Sequence, residues 1–284
     1  MTPSDVSAKG WQFAPNEDGT LVPLCAFEAP HASRAALLLL PALGVEARFY
    51  RRLAHGLGEN GITTILMEQR GHGESKQRPG RGQVFGLGDF LDHDIPTAID
   101  AVKAKLPNLP LYLGGHSLGG HLSAVTSGRR DDITGVIQLA CGFPHHGLYG
   151  KRQAGQVKFL CAILPAVTRL LGYFPGDRIG FGGREFRQLM MDWREWALKG
   201  TYSISASPQG EEEIARYAGK VLAISFDQDK LATDAAIVFS HSRFKMADVT
   251  TRRLTAAEQG DKLGHFDWAR APDGVVKAIS SWID

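Results

Sequence analysis

Cysteine is scarce in this chain. Its three residues, Cys25, Cys141 and Cys161, are odd in number and widely spaced, with no CxxC pair and no Cys/His ligand spacing. That excludes a disulfide framework, indicates no metal site, and fits a reducing compartment. Long apolar runs are missing too. The longest, Ala35 to Val45 and Phe159 to Val167, each contain a proline and fall short of the ~20 residues a membrane span needs. No transmembrane segment is expected, although Phe159 to Val167 leaves peripheral membrane contact open. Met1 to Phe13 carries Asp5 and Lys9 and has no apolar centre, so no secretory signal is expected and the default location is cytoplasmic. Charge of one sign is not in excess either: 32 Lys and Arg stand against 30 Asp and Glu. The pairs Arg51-Arg52, Arg129-Arg130 and Arg252-Arg253 are scattered among carboxylates, without the basic stripe that tracks phosphates, so nucleic acid is excluded as a partner.

What is present is an ordinary globular composition, 43% hydrophobic and 22% charged over 284 residues. That length suits two domains, or one large α/β domain with an insertion. Asp18-Gly19 between alternating runs predicts a β-hairpin. Ala35 to Leu40 is a short, continuous apolar run of the kind that forms a strand buried on both faces, Ile62 to Met67 predicts a β-branched strand, and Leu111 to Leu113, Gly135 to Ala140 and Val221 to Ser225 predict further strands. Between them, Phe49 to Leu57, Phe90 to Leu106 and Gly119 to Ser127 predict helices, with Pro96 marking a first turn or kink; Ala271 to Trp282 predicts the last helix. Alternating strands and helices demand a mainly parallel twisted sheet with helices on both faces.

One stretch interrupts the alternation. From Ala140 to Gly219 no buried strand is expected, while Val157 to Leu171 and Arg184 to Leu198 have helical period around the glycine-rich segment Gly172 to Gly183. We read residues 143–218 as an inserted helical cap, with 1–142 and 219–284 as two parts of the core. Phe143, Tyr149, Phe159, Tyr173, Phe181 and Trp193 make this region aromatic; they serve either a hydrophobic pocket or the docking of the helices. Arg178, Arg184, Arg187 and Arg194 are expected to pair with Asp177, Glu185 and Glu195, a substrate carboxylate being the alternative.

The strongest local signal is Gly115-His116-Ser117-Leu118-Gly119, which follows an apolar strand and opens a small-residue helix. A serine on so sharp a turn needs flanking positions without a β-carbon, and the turn aims helix N-terminal amides, including that of Leu118, at an oxyanion forming beside Ser117.

With this motif in place the sequence resembles the α/β-hydrolase superfamily, closest to bacterial serine hydrolases. Glu68-Gln69-Arg70-Gly71-His72-Gly73-Glu74-Ser75 is similar to that superfamily's D-x-R-G-x-G-x-S turn. Pro41-Ala42-Leu43-Gly44 stands in place of its His-Gly oxyanion loop. The resemblance implies an α/β-hydrolase fold, backbone amides of Leu43 and Leu118 as oxyanion hole, and the chain order nucleophile, acid, base. That order assigns the base to His265, in Gly264-His265-Phe266, and the acid to Asp229 after the Val221 to Ser225 strand, with Asp227 and Asp234 as competitors. His116 and His121 are expected to be structural or pocket-lining, the pair His145-His146 to line the pocket entrance, and Asp267 to cap the last helix. The expected function is a serine hydrolase that cleaves an ester of a small, partly hydrophobic acyl substrate by a Ser-His-Asp triad, without metal or cofactor. An acyltransferase using the same residues and a noncatalytic binding protein are the alternatives.

Overall fold

β3 (Ala35–Leu40) sets the plan of the molecule. All six residues are buried. Ala35, Leu37 and Leu39 enter one apolar cluster and Ala36, Leu38 and Leu40 the other, because successive side chains on a strand point to opposite faces. A strand apolar on both sides must be covered on both sides. The computed structural model describes residues 8–260 and 263–283. Residues 1–7, which hold much of the segment read for a signal, and Lys262 lie outside the described residues.

The main sheet has eight strands, in spatial order β1 (Ala8–Pro15), β2 (Leu21–Phe27), β4 (Ile62–Met67), β3, β5 (Leu111–His116), β6 (Gly135–Leu139), β9 (Lys220–Phe226) and β10 (Asp248–Leu254). β1 with β2 and β2 with β4 are antiparallel; the other neighbours are parallel. The expected hairpin joins β1 to β2, with Gly19 at φ 77 in its turn. On one face lie α1 (Arg51–Glu59) and α11 (Asp273–Ile283), through Leu53, Leu57, Val275 and Ile279. On the other lie α3 (Ile95–Lys105), α4 (Leu118–Ser127) and α8 (Gly210–Arg216), through Ile99, Leu122 and Ile214.

The helix expected over Phe90 to Leu106 is divided. A short α2 (Leu87–Asp89) runs into a π-helical turn, Phe90–Asp94, and α3 then starts beside Pro96, which has no N–H to give a preceding turn. Asp94, 2% exposed, ends the π turn and accepts from Arg70 Nε at 2.9 Å and Arg70 Nη2 at 2.6 Å, tying this bend to the turn after β4.

Between β6 and β9 the chain forms α5 (Lys151–Leu171), β7 (Tyr173–Pro175), α6 (Gly176–Ile179), β8 (Arg184–Phe186), α7 (Arg187–Lys199) and then α8. The expectation of helix from Arg184 is corrected at its first three residues, which pair antiparallel with β7 as a small ribbon. α5 begins six residues before the expected Val157 and reaches 21 residues, so among the described residues one helix is long and apolar enough to cross a membrane by length and composition alone. One side of it packs into the fold, with Cys161 and Leu164 clustered against Phe174, Met190, Trp193 and Ala197, while most of the helix is not buried. Further elements were not expected: α6, α8, α9 (Asp234–His241), β10 and α10 (Ala256–Gln259). The last helix starts at Asp273. Asp267, expected as its cap, instead opens a 3-10 turn, Asp267–Arg270, separated from the helix by Ala271 and Pro272.

Candidate active site

Ser117 sits between the last residue of β5 and the first of α4, with φ 51 and ψ −114. For a residue with a β-carbon this is a strained backbone, held here by surrounding bonds. Its N–H donates to Leu139 O at 2.9 Å, and its carbonyl accepts from the amides of Gly120 and His121 at 3.0 and 3.2 Å. The neighbouring glycines are required by space. A β-carbon on Gly115 would meet the backbone of Gly119, one on Gly119 the carbonyl of Leu40, and one on Gly120 the sulfur of Cys141.

Asp229 lies in the loop after β9, with its side chain 2% exposed. One carboxylate oxygen accepts from the amides of Leu231 and Ala232 at 2.8 and 2.9 Å. The other accepts from His265 Nδ1 at 2.7 Å. This bond leaves His265 Nε2 as the ring's lone-pair nitrogen when the imidazole is neutral. Trp268 Nε1 donates to His265 O at 3.0 Å and fixes the loop from behind. The competitors are elsewhere: Asp227 is exposed, and Asp234 is paired with Arg253 at 2.6 Å.

Ser117 and His265 line one cavity of about 480 Å³, together with Leu43 and Leu118. Core residues such as Ala42, His121 and Gly142 form part of its wall, and Leu160, Phe181 and Trp193 from the segment between β6 and β9 form another. The described residues lining it include no carboxylate, lysine or arginine. Leu43 occupies a four-residue turn, Ala42 to Val45, closed by Val45 N–H to Ala42 O at 3.1 Å. Gly44, third in the turn, has φ 76, the left-handed backbone a type II turn needs there. A side chain at Gly44 would also strike the backbone of Gly182 and Gly183, so the turn and that glycine loop touch main chain to main chain.

The other histidines divide by partner. His116 is fully buried, takes a hydrogen bond at Nδ1 with Tyr50 Oη at 2.8 Å, and packs its ring 4.8 Å from that of His265. Burial, then the nearby His265, holds it well below the usual imidazole range, so it is neutral. His121 lines the cavity, bonded through Nδ1 to Tyr202 Oη at 2.7 Å; burial pushes it down to about 4. His72 pairs through Nε2 with Glu185 at 3.2 Å, linking the turn after β4 to β8. Burial opposes its protonation, but the hydrogen bond and charge of Glu185 outweigh burial and raise it. Beneath this pair Glu68, 2% exposed, accepts from the amides of Ala47 and Gln69; burial pushes its carboxyl up to about 7. His145 and His146, expected at the pocket entrance, are not among the lining residues; His145 Nδ1 is bound to Ala197 O at 3.1 Å.

The arginines expected to pair with Asp177, Glu185 and Glu195 do not do so among the described residues. Arg194 donates to Cys161 O, Arg184 stacks 3.8 Å over the Tyr173 ring, Glu185 holds His72, and Glu195 holds Lys199. The aromatic residues serve both expected purposes: Phe174 and Phe186 are buried in packing, whereas Tyr149 and Phe181 line the cavity and Phe159 is exposed. No three His, Cys, Asp or Glu gather as metal ligands among the described residues. Two residues that brace the site, Tyr50 and Gln69, had no roles in the sequence reading. Tyr50 Oη accepts from Ala42 N–H at 3.0 Å, and Gln69 Nε2 donates to Ala42 O and Val45 O.

Comparison with known proteins bears on the whole arrangement. The chain is similar to the monoglyceride lipase of Mus musculus, 26% identical over 143 residues covering 49% of this chain and 45% of that protein. It is similar to that of Saccharomyces cerevisiae, 27% identical over 168 residues covering 56% and 49%. The chain thus spans about half the length of the curated relatives it matches. Among solved structures, a carboxyl esterase from Bacillus coagulans superposes with TM-score 0.71 at 14% identity, covering 96% of this chain and 97% of that one. A monoacylglycerol lipase from Paleococcus ferrophilus gives 0.63 at 17% identity, covering 92% and 98%. At such identities the likeness establishes the fold. The family described as serine aminopeptidase, S33, matches residues 31–173, half of the chain and the part that carries Leu43 and Ser117. The chain therefore belongs to the S33 serine aminopeptidase family of the α/β-hydrolase superfamily.

Proposed function

We propose that the protein is a carboxylic ester hydrolase that uses Ser117 as nucleophile, His265 as general base and Asp229 as the group that orients it. The observation that carries this reading is the 2.7 Å bond from His265 Nδ1 to Asp229, beside a cavity that His265 shares with Ser117. A serine hydroxyl is a weak nucleophile until a base takes its proton, and the carboxylate fixes the tautomer that can do so. Ser117 Oγ attacks the acyl carbon as its proton passes to His265 Nε2. The amides of Leu43 and Leu118 hold the oxyanion, and His265 returns the proton to the departing alcohol. Water, activated by the same imidazole, then cleaves the acyl enzyme.

The cavity also supports an uncharged ester as substrate. An aminopeptidase must neutralise its substrate's ammonium group, and the described lining offers no carboxylate for that purpose. Apolar Leu43, Val157, Leu160, Phe181 and Trp193 favour an acyl chain, with Gln153 and Gln156 on α5 as neutral polar groups. The names of the monoglyceride lipases it resembles make monoacylglycerols part of the proposed substrate class. Residues 143–218 act in this reading as a cap that closes the compartment, and the protein works in the cytoplasm.

Ser117→Ala is expected to lower ester turnover by at least about 10⁴-fold at an unchanged melting temperature, because a nucleophile has no substitute in this mechanism. A fluorophosphonate should label wild type at Ser117 and leave the variant unlabelled. Full activity in the variant overturns the reading. Faster cleavage of aminoacyl anilides than of p-nitrophenyl or glyceryl esters would favour the peptidase instead.

A further inference from the structure

Gln69 is the second residue of the turn after β4, a position that the D-x-R-G-x-G-x-S pattern leaves free, and its surroundings give its side chain a chemical meaning. The side chain is 1% exposed. Its Nε2 donates to Ala42 O at 3.0 Å and to Val45 O at 3.1 Å, the carbonyls of the first and last residues of the turn that presents Leu43. Both partners are acceptors, so the atom facing them is the amide nitrogen, and its two hydrogens match two carbonyls. A carboxylate here would have no hydrogen to give and would set negative charge against both oxygens.

Ala42 C=O and Leu43 N–H belong to one planar trans peptide, so they point in opposite directions. Fixing the carbonyl on Gln69 therefore aims the Leu43 N–H away from Gln69. Tyr50 Oη holds the preceding amide, Ala42 N–H, at 3.0 Å, which limits rotation of the turn as a whole.

We propose that Gln69 is a positioning residue of the oxyanion hole: its carboxamide sets the direction of the Leu43 N–H, a task that a carboxylate at this position could not perform in the same way. This rests on the reading of Leu43 as an oxyanion donor. It adds a residue that touches no substrate yet acts on the transition state alone. Its loss should therefore weaken binding of the tetrahedral state without weakening binding of the ester.

The test uses Gln69→Met, which keeps the length and removes both donors, and Gln69→Glu, which keeps the shape. kcat, KM, inhibition by a trifluoromethyl ketone and inhibition by a non-hydrolysable ether analogue are measured for each. Deleting an oxyanion donor outright costs about 10²- to 10³-fold, so a donor left in place but misaimed should lower kcat about 10- to 100-fold. Affinity for the ketone should fall by the same factor, with KM and ether affinity within about threefold of wild type. The ratio of Gln69→Glu to wild-type kcat should rise as pH falls, since a protonated carboxyl regains one donor. If Gln69→Met does not fold, this ratio decides. Unchanged kcat and ketone affinity in a folded variant, equal losses of ketone and ether affinity, or a ratio flat with pH overturns the proposal. Residual turnover in Ser117→Ala would instead strike the underlying mechanism, so the two failures are distinguishable.

Discussion

At the scale of single residues, the site depends on groups whose positions are each fixed by several bonds. Ser117 keeps a left-handed backbone because its amide and carbonyl are both engaged, and Ala140, at φ 50, shares that region just after β6. Asp229 has three donors on its two oxygens, two of them backbone amides, so it is oriented before the imidazole reaches it. Asp229→Asn is expected to reduce kcat by about 10³- to 10⁴-fold by allowing the wrong imidazole tautomer, with little change in stability. Asp227→Asn, at an exposed neighbour two residues away, should leave kcat unchanged. Steady-state kinetics on the two purified variants separates the assignments, and an inverted result would move the acid to Asp227.

At the scale of elements, the elbow works only because β5, α4 and β6 approach closely enough to exclude side chains. Gly120→Ala is expected to destabilise the fold by about 1–3 kcal/mol, since its new methyl group would meet the Cys141 sulfur. The penalty should shrink in a Cys141→Ala background, where that sulfur is gone; urea unfolding of the two single variants and the double variant gives the coupling. An undiminished penalty would mean that the Gly115 carbonyl, not the sulfur, limits the approach.

This closeness is also why the elbow was legible. Strand, turn residues and helix are contiguous in sequence, so G-x-S-x-G reports them directly. The same holds for β3, whose apolar run is continuous, and for β4, which is rich in β-branched residues. β10 escaped notice because it is an edge strand, polar and exposed over Thr250 to Arg253, and carries no apolar run. β7 and β8 have three residues each, too few for a period. Gln69 falls at a position the turn's pattern leaves free, its partners Ala42 and Val45 are 27 and 24 residues away, and only folding shows which carbonyls it meets.

At the scale of the molecule, the buried His72–Glu185 pair joins the core to the segment between β6 and β9. The charge of Glu68 acts on His72, whose bond to Glu185 ties the turn after β4 to β8. A carboxyl raised from 4.5 to about 7 holds its proton better in the folded state, so its contribution to stability falls as pH rises through that range. His72, also raised, contributes in the same sense: what it adds is present below the ordinary imidazole range and is lost as pH climbs above it. Relative to wild type, Glu68→Gln is therefore expected to gain on the order of 2–3 kcal/mol between about pH 5 and pH 8. Chemical denaturation of both proteins across that interval checks the sign, and a difference that is flat or opposite in slope would place the proton elsewhere.

The main-chain contact of Gly44 with Gly182 and Gly183 carries a last consequence for selectivity by tail length. Gly182 lines the cavity, so in the proposed mechanism one of its walls leans directly on the backbone that presents Leu43. A homologous series of longer and longer esters should thus reach a point where turnover number drops while the Michaelis constant holds. Were the cut-off to appear in the Michaelis constant alone, wall and reaction centre would be mechanically independent.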